Sequence, residues 1–456
     1  MATRPDPSDG VAQLAELLRE VPPTGRARVP DAAAAVDPET RRRLRRRRAI
    51  TGGISAGVVV ALIAAYVGYA LTAPLAPPAG AASPPPAVSG PAAAVALPPD
   101  GVSAISVAGG DGYLGAEASG IWMGDGIDEV RPMASISKLI TAMVVLEAKP
   151  LAGVDDPGPT LTFDKDDHAL YDKYYVLGAT IAPMPTGSSM SLHDALEAML
   201  VVSACNYAEA VAEWAFGSQW AFLAATKTWL AKQGLAHTTM VEPTGVDARN
   251  VTTPSDLIAL GKLAMANPVI AEIVAAERLD APGLEGMWAT NTLLGEYGIR
   301  GIKTGTLGPD ASNLLFSAEL GVGLDEPLDV TGVVLGGFSH ETVDRDVTAL
   351  LASIQAGFHS VAVAEKGREL GSYTTPWGAS ARMVLADDAS LYTWSNTPIE
   401  VTMTPVRSST GRAGEQLGTV TWTAGPQSVT VPVVLDATIE QPDAWWRLTH
   451  PFELGE

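Results

Sequence analysis

Cysteine is nearly missing. Cys205 is the single one in 456 residues, which excludes an intrachain disulfide framework and any cysteine-rich zinc site. Histidine is sparse as well. The six, at 168, 193, 237, 340, 359 and 450, are scattered, and no two have the His-Glu-x-x-His spacing, so neither a metal nor another cofactor is expected. Positive charge is scarce over most of the chain. Residues 49–456 carry 19 basic against 44 acidic residues, a net of −25. That excess speaks against nucleic acid as a partner, because phosphate backbones select basic surfaces.

The basic residues that are present crowd at the other end. Residues 1–48 hold 11 arginines and 7 acids amid Pro and Ala, and read as a mostly disordered, cytoplasmic tail. Val11, Leu14, Leu17, Leu18 and Val21 recur at helical spacing there, enough for one transient helix. Seven arginines fall within 41–48, and residues 49–71 then form an uncharged, mostly apolar run of 23. At 1.5 Å per residue this run crosses a hydrocarbon core of about 30 Å. The arginine flank predicts a single-pass membrane protein with its N-terminus inside and the rest outside. A cleaved signal peptide is the rival reading, but the run starts later and is longer than such signals usually are. Residues 72–99 contain nine prolines and no charge, the composition of an extended spacer. At ~3.1 Å per residue it spans up to roughly 85 Å.

Folded sequence begins near residue 100. SAISVAGG alternates as a strand, helical segments are predicted at 135–148, 191–214, 218–233, 254–266 and 268–277, and strands return at 312–320 and 329–338 before a helix at 343–358. Strands at both ends with helices between predict an α+β domain, 100–362, built on one antiparallel sheet flanked by helices. Short strands with turn residues then predict a small all-β domain over 368–456.

Three short elements carry chemistry. Ser135 and Lys138 stand at i and i+3 at the start of an apolar helix, hence on one face. A buried lysine is costly unless paired or neutral, and a neutral amine beside a hydroxyl can take its proton. No other Ser-x-x-Lys occurs. Lys303-Thr304-Gly305-Thr306 ends a predicted strand, where an ammonium and hydroxyls suit a substrate carboxylate and the glycine allows close approach to the backbone. Ser203 opens another apolar helix, in Ser203-Ala204-Cys205, and alone is uninformative.

Together and in this order, these elements resemble the serine penicillin-recognising enzymes, whose three motifs are Ser-x-x-Lys, Ser-x-Asn and Lys-Thr-Gly. The resemblance is closest to the D-alanyl-D-alanine carboxypeptidases of the low-molecular-mass penicillin-binding proteins, peptidase family S11. It extends to PMASISKLITA, VEPTG (241–245), TTPSDLIAL (252–260), ATNTLL (289–294) and GIKTGTLG (301–308), and so covers roughly residues 100–450. It implies a beta-lactamase/transpeptidase-like fold with a β-rich appendage, and a bacterial source that fits 21 arginines against nine lysines. It implies Ser135 as nucleophile, Lys138 as its base, Ser203 as proton relay, and Lys303 and Thr304 on the substrate's terminal carboxylate. The backbone N–H groups of Ser135 and Thr306 would form the oxyanion hole. The implied partners are peptidoglycan stem peptides ending in D-Ala-D-Ala and, as inhibitors, β-lactams.

Two departures from the family pattern stand out. Cys205 occupies the place of the second motif's asparagine, with Asn206 one residue later, and Glu242 stands where the family favours asparagine. A thiol donates and accepts hydrogen bonds only weakly, so altered or reduced activity is expected. The other readings left open are a DD-endopeptidase and a catalytically impaired wall-binding or sensing protein. A β-lactamase is disfavoured because no Glu-x-x-Leu-Asn string is present.

Overall fold

The computed structural model describes residues 37–76, 78–88, 92–308, 311–407 and 411–454; the apolar positions between Val11 and Val21 lie outside them. The chain divides into two units, Met1–Ala76 with Pro442–Glu456, and Pro77–Gln441.

The first unit is built on helix α1 (Pro38–Thr72). It starts eleven residues before the apolar run, with Asp37 as N-cap and Pro38 in the first turn, because arginine is a good helix former and extends the helix through the basic flank. Among the described residues it is the one single helix long and apolar enough to cross a membrane. Its last turn is closed by the C-terminal segment. Arg447 Nη1 donates to the carbonyl of Ala73 at 3.0 Å, Tyr66 Oη donates to that of Leu448 at 2.6 Å, and Ala70, Ala73 and Leu454 are buried together. A cation on the last carbonyls of a helix is a favourable cap.

In the second unit, β1 (Val102–Ala108), β2 (Met123–Asp125), β3 (Ile299–Thr306), β4 (Ser312–Leu320) and β5 (Leu328–Gly337) form one antiparallel sheet, ordered β2-β1-β5-β4-β3. The first and last long strands are neighbours, as the sequence pattern required. Alternate side chains serve two cores. Ala104, Leu315, Val333 and Leu335 face the core shared with α2 (Ser137–Ala148), α3 (Leu192–Leu200), α4 (Cys205–Phe216), α5 (Pro254–Met265) and α6 (Pro268–Ala275). Ile105, Leu314, Phe316 and Val334 face Val347, Leu350, Leu351 and Ile354 of α7 (His340–Gly357). Both faces are thereby covered by helices, which is why these strands read as nearly continuous apolar runs.

Two expectations change. The segment 191–214, read as one helix, is two, broken where Ser203 takes a positive φ of 66° between α3 and α4. The proline-rich 72–99 stretch is not a free spacer. Ala79–Ala82 pairs antiparallel with Gly371–Thr374 as the edge strand of a six-stranded C-terminal sheet, and Ala93, Val95 and Leu97 pack against the α7 core. Proline content hid a strand of small residues whose partner edge lies nearly 300 residues away.

Candidate active site

The chain reaches Ser135 through one 3-10 turn, Ala134–Ile136, that runs directly into α2. Ala134 has a positive φ of 50°, uncommon for a residue with a side chain, and Gly245 lies behind it. A Cβ on Gly245 would sit 1.8 Å from the Ala134 carbonyl oxygen, and its own φ is +87°, so only glycine fits. Ser135 is half-buried, and its Oγ lies 2.9 Å from Lys138 Nζ.

Lys138 is fully buried. Its amine donates to Ser135 Oγ, to the Thr244 carbonyl at 2.7 Å and to Cys205 Sγ at 3.3 Å. Three donors meet three acceptors, which offsets the cost of burying the group. With the amine neutral, the first contact runs the other way, from the serine O–H to nitrogen.

The Thr244 carbonyl is held in place by a residue with no assigned role. The Glu242 carboxylate accepts from Gly245 N–H at 2.6 Å, from Thr244 N–H and Oγ1–H at 2.7 Å each, and from Asn250 Nδ2 at 3.0 Å. Asn250, fully buried, also donates to Ser137 Oγ at 3.0 Å, and its backbone carbonyl accepts from Met133 N–H. Glu242 is therefore a structural member of this loop. Its carboxylate organises the loop that carries one of the three Lys138 acceptors.

The same geometry decides the register of the second element. Cys205, buried at the start of α4, is the residue that meets Lys138. Asn206 turns away: its Oδ1 accepts from Ala182 N–H at 3.1 Å and its Nδ2 donates to the Ala182 carbonyl at 2.8 Å. Ser203, in its left-handed conformation, lines the cavity beside Cys205.

Strand β3 supplies the facing wall. A Cβ on Gly305 would lie 3.0 Å from the Met133 carbonyl oxygen, so this glycine admits the turn that carries Ser135 against the strand. Asn313, opposite Gly305 in the register, donates to the Pro132 carbonyl at 3.1 Å and ties that turn to the sheet. Thr304 Oγ1 and Thr290 Oγ1 are 2.6 Å apart, and Thr306 Oγ1 is 2.7 Å from His340 Nε2.

Ser135, Ser203, Cys205, Thr304, Gly305 and Thr306 all line one cavity of about 840 Å³, together with Thr180, Gly245, Thr290 and His340. Lys138 and Lys303 stand behind its surface. Lys303 is 1% exposed, and its Nζ donates to the Thr304 carbonyl at 3.3 Å. Burial, reinforced by the Lys138 charge and opposed by Cys205, pushes its amine down to about 7. Of the contributing residues, Glu242, Asn250, Thr290, Asn313 and His340 were not picked out from sequence as site residues. Glu242 gave a signal as a departure inside the VEPTG block, and Thr290 lies inside the ATNTLL block. The one grouping of potential metal ligands among the described residues, His193, Asp194 and Glu197, contributes nothing to the cavity lining.

Residues 116–339 match the peptidase S11 family, described as D-alanyl-D-alanine carboxypeptidase. The chain is 32% identical over 146 residues to a D-alanyl-D-alanine endopeptidase of Escherichia coli, covering 32% of this chain and 44% of that one. It is 24% identical over 265 residues to the D-alanyl-D-alanine carboxypeptidase DacD of Salmonella typhimurium, covering 58% and 66%. The chain thus spans less than half the length of the first of these relatives. Penicillin binding protein 6B from Escherichia coli shares the fold, with a TM-score of 0.50, 19% identity, and coverage of 77% of this chain and 97% of that one. Residues 116–339, just under half of the chain, are thus similar to the peptidase S11 family.

Proposed function

We propose that the protein is a serine-type D-Ala-D-Ala carboxypeptidase that trims the terminal D-alanine from peptidoglycan stem peptides. The observation that carries this reading is the 2.9 Å contact between Ser135 Oγ and the buried Lys138 amine at the wall of the cavity. In the proposed reaction, neutral Lys138 accepts the Ser135 proton as Oγ attacks the carbonyl between the two D-alanines. The backbone N–H groups of Ser135 and Thr306 receive the oxyanion. Ser203 passes a proton to the departing amine of D-alanine, leaving an ester on Ser135, and water then hydrolyses that ester. Thr304 and Thr306 offer hydroxyls to the substrate's terminal carboxylate. Lys303 acts from beneath them, by its field more than by contact, given its burial.

The same site would be acylated by β-lactams, which resemble the acyl-D-Ala-D-Ala unit. Residues 49–71 of α1 would cross the membrane with the arginine-rich end inside, which puts the catalytic domain on the peptidoglycan side. A second reading, a DD-endopeptidase acting on cross-links through the same residues, is favoured by the higher identity to the Escherichia coli endopeptidase. Mass spectrometry after incubation with benzylpenicillin tests the shared chemistry. A penicilloyl adduct on the peptide containing Ser135 is expected. An adduct elsewhere, or none in folded protein, overturns the nucleophile assignment.

A further inference from the structure

His340 has no role in the chemistry above, yet it reaches the centre of the site. It is the first residue of α7, capped by Ser339, and arrives 34 positions after Thr306 to place Nε2 2.7 Å from that residue's Oγ1. Among the described residues lining the cavity there is no lysine, arginine, aspartate or glutamate, and His340 is the one that can carry positive charge at the cavity surface.

A threonine hydroxyl has one proton to give. If Thr306 donates it to a neutral imidazole nitrogen, only lone pairs face the cavity, and these repel a carboxylate. If Nε2–H donates to Thr306 instead, the hydroxyl proton is free to point at the ligand, and an imidazolium adds charge behind it. We propose that His340 sets the polarity of the Thr306 hydroxyl and couples recognition of the substrate's terminal carboxylate to uptake of a proton. This rests on the carboxypeptidase reading of the cavity and names a specificity-determining residue within it.

The surrounding charges are few. From its own helix His340 faces Asp344, whose carboxylate is held by the Thr292 hydroxyl. From β3 it faces Lys303, and the segment 289–292 brings only the uncharged Ala289, Thr290 and Thr292 to the cavity. Burial holds the imidazole below its ordinary range, Asp344 pulls it back upward, and Lys303 lowers it again. The free site is therefore mostly neutral near pH 7, and an arriving carboxylate favours the protonated form.

The test uses the full chain in detergent with Ser135→Ala, so that binding is read without acylation. Calorimetric titration compares an N-acylated peptide ending in D-Ala-D-Ala with its C-terminal amide, at about pH 5.5 and about pH 8. The expected Kd for the acid weakens about tenfold between the two, the difference between a charge-assisted and a neutral hydrogen bond. The amide changes less than about twofold, and adding His340→Gln removes most of the acid's dependence, leaving the smaller part that Lys303, pushed down to about 7, contributes by its field. Heats in buffers of different ionisation enthalpy should show proton uptake with the acid alone. If the amide follows the same pH dependence as the acid, the His340 assignment falls even should the glutamine variant fold poorly. If the acid keeps its full, roughly tenfold dependence in a folded His340→Gln protein, it falls likewise. If neither peptide binds at either pH, the carboxypeptidase reading falls and this inference falls with it.

Discussion

Replacing Glu242 by alanine removes the acceptor around which the 242–250 loop closes. Three short bonds go with it: Gly245 N–H at 2.6 Å, Thr244 N–H at 2.7 Å and the Thr244 hydroxyl at 2.7 Å. Hydrogen bonds to a charged acceptor contribute about 1.5–3 kcal/mol each. The loop is only partly buried, so water replaces a good part of them, and a net loss of about 3 kcal/mol is reasonable. For a domain of this size that lowers Tm by roughly 6–12 °C. The functional loss should be larger than stability alone explains. The Thr244 carbonyl would no longer hold Lys138 Nζ at 2.7 Å, and a displacement near 1 Å can cost about 100-fold in rate. The assay is acylation by a fluorescent penicillin, followed under conditions where the variant is still folded. Glu242→Gln, which keeps one acceptor oxygen, should fall between alanine and wild type. An alanine variant with wild-type Tm and wild-type acylation would refute the claim that this carboxylate organises the Lys138 acceptor.

Three further substitutions probe other parts of the account. Cys205→Asn exchanges a weak thiol contact to Lys138 for an amide that accepts and donates well; release of D-alanine should rise about fivefold, and an unchanged rate would mean that the thiol does not limit the site. Gly245→Ala forces a Cβ into the Ala134 carbonyl at a φ of +87°, so a loss of at least about 2 kcal/mol of stability and of most acylation is expected, and a variant acylating at the wild-type rate would contradict the packing described. Lys303 titrates at about 7 when folded but near 10.4 in an unfolded chain. The unfolded form therefore holds more protons between those values, and folding stability should rise with pH across that window. Urea unfolding of Lys303→Met, at pH values from about 6 to 10, should lack that rise, and a variant that keeps it would show the term to come from elsewhere.

What could be read in the sequence was whatever is local. Ser135 and Lys138 share a helix turn, and Lys303 to Thr306 share a strand, so spacing alone placed them together. The apolar run in SNLLFSAEL marked β4, whose even and odd side chains serve different cores. The break between α3 and α4 was invisible because neither glycine nor proline marks it. Ser203 adopts the left-handed conformation that those signals usually announce. Helix Lys165–Val176 was missed because its sequence is charged and lacks an apolar stripe. Its place is set instead by Lys173 and Tyr174 bonding the buried Glu209 of α4. The supporting residues of the site were illegible for a similar reason. Asn313 meets the Pro132 carbonyl across 181 positions and Asn250 meets Ser137 across 113; such pairings exist only once the sheet and α2 are assembled.

The most direct test of the central claim is release of D-alanine from a peptide ending in D-Ala-D-Ala, using the full chain in detergent beside its Ser135→Ala variant. The account expects free D-alanine from the wild type and none above background from the variant. Absence of release from wild-type protein that is demonstrably folded, or equal release from both, would contradict it.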